Sequence, residues 1–199
     1  EVIIPRADPQ VVEQTKRLMT RLGSLELAIL ANSEDDNSLI SDARNLEPDV
    51  DKLLDESGKI VKAQWHPIAK DGEVDGSYRV AFRDVKRDGT DVQQVLVKYG
   101  IKKRRVMGEH LSRVNQSTDE NGQLAVAFRL TGLGANLFSD LTGANEPTRD
   151  KQHYRRLAIV LDGNVFSAPR LQSRISSNGI ISVNRPPPMN GADSGAASA

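Results

Sequence analysis

The chain has no cysteine, a single tryptophan and aromatics at only 4% of its 199 residues, and it carries no net charge. Each shortage excludes something. Without cysteine there is no disulfide, no thiolate metal site and no cysteine nucleophile, although an exported and a cytosolic setting both remain open. Lys+Arg and Asp+Glu both number 27, so no overall field favours a polyanion, and nucleic acid is not an expected partner. Apolar runs such as Leu157 to Leu161 fall far short of the ~20 residues that span a bilayer. What is present is ordinary globular composition, 38% hydrophobic and 27% charged, at a length sufficient for one sizeable core. The start at Glu1, with no Met and no charged-then-apolar leader, suggests a piece of a longer protein, soluble by itself, whose membrane contact would come only through missing flanking segments.

Residues 1–32 read as strand, helix, strand. Val2 to Ile4 ends at Pro5, Asp8-Pro9 starts a helix, and Val11, Val12, Thr15, Leu18, Met19 and Leu22 form one helical stripe before Gly23. Leu25 to Leu30 is the second strand. Residues 33–106 differ: two short helices are expected around Leu39 to Leu46 and Val50 to Leu54, the latter stopped by Gly58. Three strands should follow, Ile60 to Trp65, Tyr78 to Val85 and Val92 to Tyr99, separated by the turn dipeptides Asp71-Gly72, Asp75-Gly76 and Asp88-Gly89. This stretch reads as an inserted helix-plus-meander lobe packed on the main core.

Residues 107–183 complete that core. Leu111 to Ser117 and the strict alternation of Leu124, Val126, Phe128 and Leu130 form a hairpin around Asp119 to Gly122. Leu133, Leu137, Phe138 and Leu141 mark an amphipathic helix between Gly132 and Gly143. Leu157 to Leu161 is a strand buried on both faces, turned by Asp162-Gly163-Asn164 into Val165-Phe166, and Ile180, Ile181 and Val183 add an edge strand. Residues 184–199, rich in Pro, Gly, Ala and Ser, read as a flexible tail that contributes little to stability. The expected fold class is α+β, a mixed or antiparallel sheet with packed helices.

No residue constellation announces chemistry. Gly132-Leu133-Gly134 sits where a phosphate-cradling loop would, but the third glycine is missing and Leu137 stands in its place, so a structural helix start is the better reading. Asp49, Asp51, Asp55 and Glu56 lack the sixth-position glycine of a calcium loop. His66, His110 and His153 are far apart, which argues against zinc. Lys102-Lys103-Arg104-Arg105 is the one dense basic run and reads as a solvated connection. No catalytic, cofactor-binding or metal-binding residue is assigned.

Two segments go further: VAFRLTGLGANLFSDLTGAN (Val126 to Asn145) and LAIVLDGNVFSAPRLQSRI (Leu157 to Ile175). In order and spacing, Gly134, Ala135, Phe138, Leu141, Thr142, Leu161, Asp162, Gly163, Ser167, Ala168 and Pro169 resemble the first periplasmic domain of the SecD family, and the EVIIPRADPQ start resembles its lead-in. Residues 33–106 have no recognisable family pattern and would be a lineage-specific elaboration. The resemblance implies a non-enzymatic domain on the periplasmic side of the bacterial inner membrane. Its parent, a multi-pass subunit, would act with SecF beside the SecYEG channel, hold emerging unfolded preprotein and assist proton-gradient-driven export. The motif residues themselves have structural work to do: close helix approach at Gly134-Ala135, core filling by Phe138, a tight turn at Asp162-Gly163. The competing reading is a soluble enzyme or small-ligand binder using the Gly132 to Gly134 loop.

Overall fold

In the computed structural model, residues 25–74, 79–99, 105–118, 124–148 and 153–182 are described. Strands carry most of the fold. The larger sheet contains β1 (Leu25–Leu30), β2 (Lys52–Leu54), β3 (Val61–Glu73), β4 (Phe82–Arg87), β5 (Thr90–Lys98), β6 (Val106–Met107), β9 (Leu157–Leu161) and β10 (Asn164–Ser167). A second sheet, ordered β11 (Asn178–Ser182), β8 (Leu124–Leu130), β7 (Leu111–Thr118), stands apart from it. Among the described residues two α-helices, α1 (Asn37–Arg44) and α2 (Gly132–Gly143), complete an α+β architecture.

Strand β3 closes the larger sheet. Its residues Ala63 to Pro67 pair antiparallel with β5, while Ile68 and Glu73 pair parallel with β10. Since β10 pairs with β9, β9 with β1, and β1 with β5, the five strands form a ring. The alternation of side chains then separates two environments. Ala28, Leu30, Val95, Val97, Ala158, Val160 and Val165 cluster on one side, and such small aliphatic side chains suit the interior of a narrow barrel. Leu25, Leu27, Ile29, Leu157, Ile159 and Leu161 point the other way, into a core shared with Val126, Phe128, Leu130 and Phe138. Strands β1 and β9 are therefore buried along their whole length, as the apolar run in β9 predicts. A third cluster joins α1 to β3 and β5 through Ile40, Ala43, Trp65 and Leu96, with the Trp65 indole N–H donating to the Ala43 carbonyl at 3.0 Å.

Two of the expected Asp-Gly turns form where the sequence places them. Asp162 (φ 49°) and Gly163 (φ 77°) join β9 to β10, and Asp88 (φ 50°) and Gly89 (φ 80°) join β4 to β5. Both central residues have positive φ, which matches the right-handed twist of the flanking strands. A β-branched residue at Gly163 would be strained by more than ~1 kcal/mol from its backbone alone, since nothing lies within 4 Å of the position of its Cβ.

Three expectations fail. Val50 to Leu54 is not a helix: Lys52 and Leu53 pair with Gln64 and Ala63, and the Trp65 N–H donates to the Asp51 carbonyl at 2.8 Å. Three apolar positions are too few to define a period, and the neighbouring strand decides. Gly58, at φ 68°, belongs to the β2–β3 turn, in which the Asp55 carboxylate accepts the amide hydrogens of Lys59 and Ile60. Asp71-Gly72 is not a turn either but lies within β3. There a Cβ on Gly72 would sit 2.8 Å from the Val165 carbonyl, so the glycine permits the close, irregular approach of β10. Strands β3 and β5, both from residues 33–106, hydrogen-bond directly to β10 and β1 instead of packing on them as a separate layer. The amino-terminal strand and helix, the Asp75-Gly76 and Asp119 to Gly122 turns, most of the basic run and the tail from Asn184 lie outside the described residues.

Candidate functional site

The smaller sheet has one inner and one outer face. Val126, Phe128 and Leu130 enter the core, so Ala127 and Arg129 face outward. Register extends that outer face across three strands: Arg113 lies opposite Arg129, which lies opposite Asn178, and Asn115 lies opposite Ala127, which lies opposite Ile180. The inner face is tight. Gly179 lies opposite Phe128, and a Cβ there would overlap the Phe128 ring, which meets Phe138 edge-to-face at 5.8 Å between centroids.

Facing the outer rows, the segment of residues 169–176 closes a groove of about 770 Å³. Its position follows from specific bonds. The Leu157 N–H donates to the Pro169 carbonyl at 2.9 Å and the Leu171 N–H to the Arg155 carbonyl at 2.8 Å, and Leu171 is buried. At the far end, the fully buried Thr142 hydroxyl accepts from the Ile175 N–H at 2.9 Å and donates to the Phe138 carbonyl at 2.7 Å. The Arg174 guanidinium donates to the Ser139 hydroxyl at 2.7 Å. Arg113, Arg129, Arg170 and Arg174 line the groove, all exposed, beside Ile180, which is 56% exposed.

The motif residues divide between two places. Gly134, Ala135, Phe138, Leu141 and Thr142 lie on α2, where Thr142 anchors the groove wall and Ser167-Ala168-Pro169 leads into it. Asp162 and Gly163 lie at the β9–β10 turn and line no part of the groove. The Gly132 to Gly134 loop is a helix start: the Thr131 hydroxyl oxygen accepts the Gly134 N–H at 3.2 Å, and a Cβ on Gly134 would sit 2.5 Å from the His110 Cβ. Thus the glycine is there for close packing, and one of its loop amides is already bonded.

A buried polar cluster that the sequence did not reveal occupies the ring. His66 Nδ1 lies 2.8 Å from the Gly163 carbonyl and Nε2 lies 2.7 Å from the Tyr99 hydroxyl. Because a carbonyl only accepts, Nδ1 carries the proton and Nε2 accepts from Tyr99. Burial pushes the His66 imidazolium toward its neutral form, which that arrangement requires. Burial also pushes the Glu26 carboxyl up, against the pull of Arg105, whose guanidinium donates to it at 3.1 Å and stacks 3.8 Å from the centre of the Tyr99 ring. Burial, with Glu26 beside it, raises the Tyr99 phenol as well. None of these four side chains lines the groove.

The remaining candidates have local roles. Asp51 accepts from Arg83, Arg87 and Gln94. His110 Nδ1 accepts the Met107 N–H at 3.0 Å, and His153 pairs with Glu34 and Asp35. Burial pushes the Asp35 carboxyl up, but hydrogen bonds from Asn32, His153 and Arg155 outweigh it and hold the group at about 2. Of the basic run only Arg105 is described, and it is paired with Glu26. Among the described residues no group of His, Asp and Glu is arranged to hold a metal ion, and no helix is long and apolar enough to cross a membrane.

Strand ring, small outer sheet and a groove bounded by residues 169–176 define an α+β domain. Residues 82–187, just over half of the chain, match the family described as "SecDF, P1 head subdomain", and the chain belongs to that family. Among relatives, protein translocase subunit SecD of Rickettsia felis is 32% identical over 133 residues, covering 64% of this chain and 24% of that protein. SecD of Rhodobacter capsulatus is 42% identical over 79 residues, covering 38% and 13%. SecD of Elusimicrobium minutum is 28% identical over 208 residues, covering 92% of this chain and 38% of its own. The chain thus spans well under half the length of these relatives. A solved SecDF, a membrane component that enhances protein export, aligns over 91% of this chain and 64% of its own at 19% identity and a TM-score of 0.38, too loose to add weight.

Proposed function

We propose that this domain holds emerging unfolded preprotein on the periplasmic side of the inner membrane and performs no chemistry. Its parent would be a multi-pass SecD-like subunit that acts with SecF beside the SecYEG channel and uses the proton gradient. The carrying observation is that, in a chain of this export family, the groove is lined by outer-face residues of β7, β8 and β11, and β11 is the end strand of the small sheet among the described residues. An extended chain added beside β11 would gain main-chain hydrogen bonds that do not depend on its sequence, while alternate side chains enter the groove. Affinity should be modest, since a site that releases a moving chain cannot grip every segment, and ordering the chain costs entropy.

Titration of isotope-labelled domain with a reduced, permanently unfolded secretory protein should give saturable amide shifts along β11 and residues 169–176. A folded control and nucleotides should give none. Saturable nucleotide shifts centred on Gly132 to Ala135, with none from the unfolded chain, would instead establish the ligand-binding alternative.

A further inference from the structure

We infer that the groove selects acidic, alternately apolar extended segments; this rests on the reading that the same face holds unfolded chain. Like charges directly opposite on neighbouring strands destabilise a sheet, and Arg113 lies directly opposite Arg129 on the exposed face. Several arginines outside the groove are matched: Arg79 with Glu34, Arg83 and Arg87 with Asp51, Arg105 with Glu26, Arg155 with Asp35. Among the described residues the Arg129 guanidinium donates to Asn178 and that of Arg174 to Ser139, both neutral, and none of Arg113, Arg129 and Arg174 has a carboxylate within 4.0 Å of its guanidinium. In a chain with no net charge, this is a local concentration of one sign that raises the cost of folding and is relieved by an anionic occupant.

The rows specify where the charges of that occupant go. A strand beside β11 extends the row Arg113–Arg129–Asn178 with one residue and the row Asn115–Ala127–Ile180 with the residue two positions away, because side chains on one face of a strand repeat every second residue. A carboxylate in the first row neighbours Asn178 and extends across it toward the Arg129 guanidinium, in the field of Arg113 beyond, and an aliphatic side chain in the second covers Ile180. The occupant is therefore an extended peptide in which Asp or Glu and a large aliphatic residue are two positions apart. Its recognition is electrostatic, and so salt-sensitive.

The test uses the full 199-residue chain and unstructured synthetic peptides with alternating Glu and Leu on one face, compared with Lys-for-Glu and Gln-for-Glu counterparts. At low salt the acidic peptide should bind at least ~10-fold more tightly than the Lys peptide, as two or three exposed ion pairs allow. Its amide shifts should centre on Arg129, Asn178 and Ile180, and the preference should shrink at high salt. Arg113→Glu together with Arg129→Glu should invert the preference; Arg113→Glu alone should weaken acidic-peptide binding without lowering the thermal midpoint, because it removes the like-charge pair. Equal binding of acidic and basic peptides at the groove would overturn the charge selection while leaving the holding function intact. No binding of any peptide would remove both. Capture by anionic phospholipid vesicles but not by acidic peptide would reassign the arginines to a membrane surface, and concentration-dependent dimerisation without peptide would reassign the β11 edge to a second copy.

Discussion

Gly134→Ala is expected to destabilise the domain by ~1–3 kcal/mol or more, the range for forcing extra volume into a packed site. Its Cβ would lie 2.5 Å from the His110 Cβ, 2.9 Å from the His110 carbonyl oxygen and 3.3 Å from the Thr131 hydroxyl oxygen. The first two atoms are held by the main chain and cannot swing away. That segment is also fixed, because the His110 carbonyl accepts the Thr131 N–H at 2.7 Å and its ring accepts the Met107 N–H. Relief requires α2 to move off residues 107–111. The same substitution at Gly132, where nothing lies within 4 Å, should be neutral or stabilising by up to ~1 kcal/mol, since alanine favours the helix. Urea denaturation of the two variants reads opposite signs, and a Gly134→Ala midpoint at or above that of Gly132→Ala would refute the close-packing account.

Phe138→Ala should be more costly still, by ~3–5 kcal/mol, the usual range for truncating a fully buried phenylalanine. Against a total stability of ~5–15 kcal/mol, that is a large fraction. The ring packs edge-to-face on Phe128 within the core that joins the small sheet to β1 and β9. The main-chain carbonyl of residue 138, which accepts the Thr142 hydroxyl that in turn holds Ile175, stays in the variant, so the loss measures the ring alone. Leu133→Ala, on the same helix but 51% exposed, should stay within ~0.5 kcal/mol of the parent. Similar denaturation midpoints for the two variants would show that Phe138 is not the core anchor described above.

Local chemistry carried much of the fold into view. The Asp88-Gly89 and Asp162-Gly163 turns, the β7–β8 hairpin, α2 and the doubly buried β9 all follow from patterns a few residues long, where the physical cause is itself local. What escaped depends on partners far away in sequence. Strand β2 exists because β3 lies beside it, β3 runs through Asp71-Gly72 because β10 approaches there, and ring closure follows from both. Glu26, His66, Tyr99 and Arg105 meet across separations of up to 79 residues, and no local period relates them.

The candidate site shows the same division. Alternation in β8 already puts Arg129 on the face away from Val126 and Phe128, but Arg113 joins it only because the register of β7 shifts after the buried Leu111, so this half of the basic surface was only partly readable from period two. The other half, Arg170 and Arg174, follows an irregular path whose position is decided by Thr142, Ser139 and the Leu157 backbone. The motif that identified the family served the groove indirectly. Thr142 and Pro169 shape it, whereas Asp162-Gly163 supports a buried histidine in the ring.

The central claim is that extended polypeptide lies along the outer face of the small sheet. It is tested most directly by placing a photoreactive residue at position 180 or 133 of the full-length parent subunit and irradiating while a secretory chain is stalled in transit. Ile180 borders the groove and Leu133 lies at the Gly132 to Gly134 helix start, and both are more than half exposed. Adducts between the stalled chain and position 180, absent at position 133, are the predicted result; adducts at position 133 alone would contradict the account.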